Sequence, residues 1–308
     1  MVYEKHPMPF IPLRDGQQLY VRTLGRGKPV LMLAGLGMHS GHWLPFVLPF
    51  AHRYKFYMPD FRGAGRSSDV RFNQADVFQN HYEDVVDIIK YLGLSHYLLV
   101  GISLGGTTAL HLQREQGFAD VKAYLHIDQT PCIANQDDWP FGLFGDKQRL
   151  IFAQIKQLAQ LLDQYADYAQ LSDLPKAARQ QAASTLADIL VLISNKPVLK
   201  PLFRWLLVSP KQLAKHLPLT QIADCRAYLH AYTQLSHDYR DSLRQCQTPI
   251  TVMVGMNSPL YHPEGQMRIA DYAPQVKIRK FYRSGHVPLA DEPLKFVREF
   301  KRFLSQHT

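Results

Sequence analysis

The chain has 308 residues, of which 46% are apolar, 11% aromatic and 20% charged. This length and composition fit one large globular domain or two smaller ones, and they exclude a disordered or fibrous chain. The formal net charge of +9 makes nucleic acid or an anionic membrane surface a hypothesis to test. The three cysteines, Cys132, Cys225 and Cys246, include no pair with CxxC spacing, which favours a reducing compartment.

The N-terminal segment has no signal-peptide pattern, because Arg14 and Asp15 interrupt its apolar residues early. No window approaches the roughly 20 uninterrupted apolar residues that a membrane-spanning helix needs. The sequence therefore predicts a cytoplasmic protein without a membrane span.

The first part of the chain alternates short apolar runs with helical patterns. Residues 29–34, 55–59, 96–100 and 121–127 are runs typical of buried parallel strands. Between them, apolar residues from Phe78 to Leu92 recur every three or four positions, and Gly93 stands where a helix would end. Strands that alternate with helices predict a mostly parallel sheet with helices on both faces.

The middle and last parts differ in pattern. Residues 131–247 contain Ala- and Gln-rich helical stretches without a strand pattern, whereas 250–254 and 276–282 read as strands and 296–304 as a closing helix. We therefore expect an α/β core formed by residues 1–130 and 248–308, interrupted by an all-helical cap formed by residues 131–247.

A GxSxG pattern, Gly101-Ile-Ser103-Leu-Gly105, follows the strand at 96–100 and precedes a helical stretch. A sharp strand-to-helix turn of this kind raises a serine Oγ clear of the sheet, and the flanking glycines remove Cβ atoms that would collide there. The pattern thus favours Ser103 as a nucleophile over an ordinary glycine-rich turn.

Four motifs together resemble the α/β-hydrolase fold family. They are the oxyanion loop at residues 33–37, the DxRGxGxS turn at 60–67, the nucleophile elbow at 101–105 and the Gly-His-Val-Pro turn at 285–288, in family order. The resemblance covers about 190 residues, and the middle part corresponds to the family's variable helical cap. It implies the serine-nucleophile branch of the family, with a helical cap.

The resemblance also implies roles for individual residues. Ser103 attacks an acyl carbonyl, and His286 accepts the serine proton as general base and later returns it to the leaving group. The backbone N–H groups of Leu36 and Leu104 form the oxyanion hole. The DxRGxGxS turn is expected to be structural, with Arg62 paired locally.

The acid of the triad departs from the family pattern. The usual acid lies three residues after the Gly that ends the seventh strand, and that position holds Ser258, which carries no charge. Asp128 ends the sixth strand, where haloalkane dehalogenases, a branch of the same fold, carry their acid. We therefore predict Asp128 as the acid, with Asp224, Asp238, Asp241 and a neutral acceptor role for Asn257 as alternatives.

Serine relatives of this family cleave esters, lactones, thioesters, amides or C–C bonds, and apolar residues of the cap favour an apolar acyl part. We expect hydrolysis of a small-molecule carboxylic ester or lactone, with Trp43, Phe141, Phe144 and Trp205 lining the substrate pocket. No metal-ligand cluster and no GxGxxG are present, so no metal and no cofactor are expected.

Two alternatives and two further expectations stay open. The same triad could serve an acyltransferase or perhydrolase, or the fold could be a non-catalytic ligand-binding scaffold. Residues 274–308 hold eight Lys or Arg against three acids, which we read as a solvated basic face and not as a nucleic-acid site. Cap helices often mediate subunit contacts in this fold, so a homodimer is a hypothesis.

Overall fold

The computed structural model describes residues 9–193, 221–235 and 237–307. Their centre is an eight-stranded sheet in the order β1-β2-β4-β3-β5-β6-β7-β8. The strands are β1 (Phe10–Pro12), β2 (Gln18–Gly25), β3 (Lys28–Leu33), β4 (Tyr54–Pro59), β5 (Tyr97–Ile102), β6 (Val121–Ile127), β7 (Ile250–Gly255) and β8 (Val276–Phe281).

The sheet is mostly parallel, as the sequence predicted. Strand β2 pairs antiparallel with both β1 and β4, and every pair from β4 to β8 is parallel. In such a sheet the carboxyl ends of β3, β5, β6 and β7 meet at one edge, which is where α/β folds bind ligands. The predicted fold class, an α/β fold with a mostly parallel sheet flanked by helices, is confirmed.

Helices cover both faces of the sheet. They are α1 (Leu44–Val47), α2 (Val77–Leu92), α3 (Leu104–Gln116), α4 (Gln148–Asp163), α5 (Lys176–Ile193), α6 (Ile222–Gln234), α7 (Arg240–Arg244), α8 (Pro263–Met267), α9 (Pro288–Asp291) and α10 (Pro293–Gln306). The predicted helix from Phe78 to Leu92 is confirmed as α2. The Asp76 carboxylate accepts the first N–H groups of this helix, and Gly93 ends it with φ 59°. None of the described helices has the length and apolar character of a bilayer-spanning segment.

Helices α4 to α7 lie between β6 and β7 in the chain, within the segment predicted to form a cap. The buried apolar residues divide by sheet face and not at the predicted cap boundary. One cluster joins α2 and α3 to α4, α5 and α6, and the other packs α1 and α10 against the opposite face. The described part of the insertion therefore shares one hydrophobic core with the α2 face, and the two-part domain division stays a prediction.

Candidate active site

The turn between β5 and α3 holds Ser103 in a backbone conformation that few residues adopt. Ser103 has φ 51° and ψ −117°, and its N–H donates to the Ile127 carbonyl at the end of β6. A Cβ on Gly101 would lie 2.5 Å from the Gly105 carbonyl oxygen, and one on Gly105 would collide with the Leu33 carbonyl. Both glycines are therefore needed for the turn, which leaves the serine side chain part-exposed.

The loop after β8 carries His286, and two acidic side chains that follow it in the chain, those of Asp291 and Glu292, bind this loop. The Gly285 N–H donates to Asp291 Oδ2 over 2.9 Å, and the Ser284 hydroxyl donates to Glu292 Oε1 over 3.1 Å. His286 itself is nearly buried, with 6% of its surface exposed. The Asp291 and Glu292 carboxylates thus hold the loop that carries the histidine.

The structure brings Ser103, His286 and Asp128 together, although 183 and 158 residues separate His286 from its two partners. His286 Nδ1 lies 2.6 Å from Asp128 Oδ2, and His286 Nε2 lies 2.9 Å from Ser103 Oγ. Because a carboxylate only accepts hydrogen bonds, Nδ1 carries the hydrogen and Nε2 can accept the serine proton. This is the geometry that a serine nucleophile and its general base require.

The Asp128 carboxylate is fully buried and lies at the junction of β6 and β7. The backbone N–H of Asp128 donates to the Met253 carbonyl on β7. The backbone of Asp128 has a φ of 47°, and its side chain lies towards the loop that follows β7. Oδ1 accepts the N–H of Gly255, the last residue of β7, and the side-chain amide of Gln266 on α8, both at 3.0 Å. Oδ2 accepts the hydroxyl of Ser258 in the loop between them at 2.7 Å. The usual acid position therefore contributes a donor to the carboxylate of the neighbouring strand.

The alternative acids are engaged elsewhere. Each forms an ion pair with an arginine: Asp224 with Arg71, Asp238 with Arg240, and Asp241 with Arg244. The Asn257 side chain donates to the Tyr282 carbonyl over 2.8 Å, so it holds the loop before His286.

A buried histidine supports the chain just beyond Asp128. His126 Nε2 lies 2.8 Å from the Gln129 carbonyl, and Nδ1 lies 2.7 Å from the Tyr124 hydroxyl. Burial lowers the pKa of His126 to about 4, so the ring is neutral at pH 7. Nε2 then donates to the Gln129 carbonyl while Nδ1 accepts the tyrosine hydrogen, which fixes the loop that follows the acid.

The predicted oxyanion donors flank the serine. An ideal Cβ on Gly35 would lie 3.4 Å from Ser103 Cβ, so the loop that carries Leu36 runs beside the nucleophile. Leu36 is 43% exposed, whereas Leu104 is buried as the first residue of α3. N–H groups in the first turn of a helix have no acceptor within the helix. The placement is compatible with the predicted oxyanion hole, whose role stays a prediction.

One predicted pocket residue needs correction. Trp43 has no exposed surface and packs with Val30 and Met32 in the core on the α10 face, so it lines no solvent-accessible pocket. Phe141 stacks on His262, and Phe144 is largely buried; both pack near the loop after β7, and their pocket role stays a prediction. Trp205 lies outside the described residues.

Three findings relate the chain to known proteins. Residues 30–299 match the model of the alpha/beta hydrolase family. A pimeloyl-(acyl-carrier protein) methyl ester esterase from Nitrosomonas europaea is 24% identical over 92% of this chain and 98% of its own length. The esterase EaEST from Exiguobacterium antarcticum superposes with a TM-score of 0.72 at 21% identity, covering 96% of this chain and 98% of its own.

An enol-lactonase from Burkholderia xenovorans superposes with a TM-score of 0.71 at 14% identity, covering 96% of this chain and all of its own. The curated relatives support the predicted class of activity, hydrolysis of carboxylic esters. With 270 of its 308 residues inside the family match, this chain belongs to the alpha/beta hydrolase family.

Proposed function

We propose that the protein hydrolyses carboxylic esters or lactones with an apolar acyl part through an acyl-enzyme on Ser103. One observation carries the proposal: His286 bridges the Ser103 hydroxyl and the buried Asp128 carboxylate, at 2.9 and 2.6 Å. A serine hydroxyl is a weak nucleophile until an adjacent base accepts its proton, and this bridge supplies that base.

The reaction proceeds in two halves. Ser103 Oγ forms a bond to the carbonyl carbon while its proton moves to His286 Nε2, and the imidazolium is stabilised by Asp128. Collapse of the tetrahedral intermediate releases the alcohol, which takes the proton from Nε2. Water then repeats the sequence on the acyl-enzyme, which frees the acid and restores Ser103.

The backbone N–H groups of Leu36 and Leu104 are our candidates for binding the oxyanion. In support, Leu104 is the first residue of α3 and directly follows the serine. A Cβ added to Gly35, the residue before Leu36, would lie 3.4 Å from Ser103 Cβ, so this loop runs beside the serine. Donors that are already fixed by the fold stabilise developing charge without reorganisation, which is often the largest single contribution to catalysis.

The relatives and neighbours act on different esters according to their names, among them a carrier-protein-bound methyl ester and an enol-lactone. We keep the broader substrate class, a small-molecule ester or lactone with an apolar acyl part. The cytoplasmic location, the homodimer and the lack of a nucleic-acid partner stay predictions from the sequence.

Turnover of p-nitrophenyl acetate and butyrate tests the proposal, with Ser103→Ala as the matched variant. We expect steady turnover by the wild type, loss of at least about 10³-fold in Ser103→Ala, and labelling of the wild type alone by a fluorophosphonate. Equal rates for the two proteins, with no covalent adduct, would favour a ligand-binding scaffold. More transfer than hydrolysis with added alcohols would favour the acyltransferase.

A further inference from the structure

Donors surround both oxygen atoms of the Asp128 carboxylate. Oδ1 accepts the Gly255 N–H and the Gln266 amide, and Oδ2 accepts the Ser258 hydroxyl and His286 Nδ1. A carboxylate offers about four lone-pair directions, so its accepting capacity is used in full. The carboxylate therefore cannot turn away from His286 without breaking other hydrogen bonds.

Gln266 on α8 is fully buried and its amide has a fixed orientation. One amide hydrogen reaches Asp128 Oδ1 and the other reaches the Tyr261 carbonyl, both at 3.0 Å. Its Oε1 accepts no hydrogen bond from the described residues. A reversed amide would place Oε1 against two acceptors, so the glutamine acts as a double donor even though its own carbonyl stays unpaired, which is unfavourable in a protein interior.

Ser258 stands where the family usually has its acid, and its hydroxyl also has a fixed role. Since Asp128 Oδ2 only accepts, the Ser258 hydroxyl donates to it over 2.7 Å. Ser258 Oγ in turn accepts the Tyr261 N–H, with 3.4 Å between the nitrogen and the oxygen. The loop after β7 and the short helix α8 thus bring a hydroxyl and an amide to Asp128 at the end of β6.

We infer that Ser258 and Gln266 are positioning residues that hold the Asp128 carboxylate against His286. They act through Asp128, whose side chain lies between them and His286. The inference rests on the proposed function, because holding this carboxylate affects the rate only if Ser103 and His286 perform the reaction.

The first test compares kcat and KM of the wild type, Gln266→Met and Ser258→Ala with p-nitrophenyl butyrate. We expect each variant to lower kcat by roughly 10-fold to 100-fold, the usual contribution of one hydrogen bond to a charged group. We expect KM to stay within about twofold, because these groups position the acid and do not bind the ester. Ser258→Thr keeps a hydroxyl and should stay near the wild-type kcat.

The second test uses Gln266→Glu and its pH dependence. A protonated glutamic acid can still donate one hydrogen bond to Asp128, whereas its carboxylate form would repel it. The ratio of variant to wild-type kcat should therefore rise as the pH falls. The same ratio for Gln266→Met should stay flat, and a purely packing role would leave both ratios flat.

Gln113→Met is the matched control. Gln113 is also buried, its amide donates to the Ser242 carbonyl over 2.8 Å, and its Oε1 also lacks a partner among the described residues. It should keep wild-type kcat. Folded Gln266→Met and Ser258→Ala with wild-type kcat, or with a raised KM and unchanged kcat, would overturn the inference alone. Retained hydrolysis by Ser103→Ala would instead overturn the proposed function.

Discussion

Two buried carboxylates of this protein bind their partners in very different ways. Asp128 accepts hydrogen bonds from uncharged donors and from His286. Asp84 on α2 instead forms a bidentate ion pair with Arg62, at 2.6 and 2.7 Å. Arg62 also binds Asp15 over 2.7 Å. Both carboxylates are almost inaccessible to solvent, with Asp128 at 0% and Asp84 at 1% exposure.

The difference lies in where each network ends. The Asp128 network ends on the part-exposed hydroxyl of Ser103. Among the described residues, the carboxylates that bind Arg62 are those of Asp84 and Asp15, which connect parts of the fold away from Ser103. Arg62 joins the turn after β4 to α2 and to the turn before β2, over sequence separations of 22 and 47 residues. The expected pairing of Arg62 is thus structural but not local. We expect the first network to control rate and the second to control stability.

The largest expected effect is that of Asp128→Asn on the rate. The asparagine NH2 would face donors at Oδ1, so it should occupy the Oδ2 position and donate to His286 Nδ1. The hydrogen of the imidazole then moves to Nε2, which can no longer accept the Ser103 proton. Loss of the carboxylate from such a triad costs about 10⁴-fold in kcat. Ester hydrolysis and a melting curve, measured on the same sample, separate rate from stability.

A loss of kcat below about tenfold in folded Asp128→Asn would remove the acid role. Comparable small losses in Asp128→Asn and Ser258→Ala would do the same, because Ser258 cannot supply a carboxylate.

Arg62→Met should have the opposite signature. It leaves Asp84 and Asp15 without their cation in the interior, which typically costs about 3–5 kcal/mol when one partner of a buried pair is removed. The free energy of unfolding, measured by urea denaturation, should fall by that amount. At a temperature where the variant is folded, its kcat should stay within a few fold of the wild type. A large loss of kcat with unchanged stability would reverse the comparison.

The sequence allowed prediction of the elements whose signal is local. The turn glycines and strand-helix context located Ser103, the loop motif located His286, and the end of β6 located Asp128. The structure brings all three side chains together, and their catalytic roles stay predictions. Gln266 could not be found this way, because it lies 138 residues from Asp128 in a short helix without a motif.

Other differences between the sequence predictions and the structure also have physical reasons. Strands β1 and β2 were not assigned, since they are antiparallel, and exposed polar residues interrupt the apolar pattern of β2. Trp43 was assigned to the pocket because core and pocket linings are both apolar in sequence, and only its burial separates them. The pairing of Arg62 with Asp84 is likewise a tertiary contact without a local signal.

The smallest expected effect is on the pH dependence of stability, through a buried histidine near Arg62. His81 on α2 is fully buried, and its Nε2 lies 2.7 Å from the Tyr228 hydroxyl on α6. Burial, together with the positive charge of Arg62, lowers the pKa of His81 from 6.5 to about 3. Below pH 6.5 the unfolded chain therefore binds a proton that the folded protein does not. Stability is fully present above pH 6.5 and is lost progressively as the pH falls towards 3.

His81→Gln removes this titration and keeps an acceptor for Tyr228. The slope of the unfolding free energy between pH 6 and 4 should become shallower by up to about 1.4 kcal/mol per pH unit. Urea denaturation at several pH values measures it, with His52→Gln at an exposed position as the control for losing a histidine. An unchanged slope would mean that the packing around His81 on α2 opens before the histidine is protonated. The loss of stability in acid would then arise from other groups. The distinction between the Asp128 network, which controls rate, and the Arg62 network, which controls stability, would rest on Arg62→Met alone.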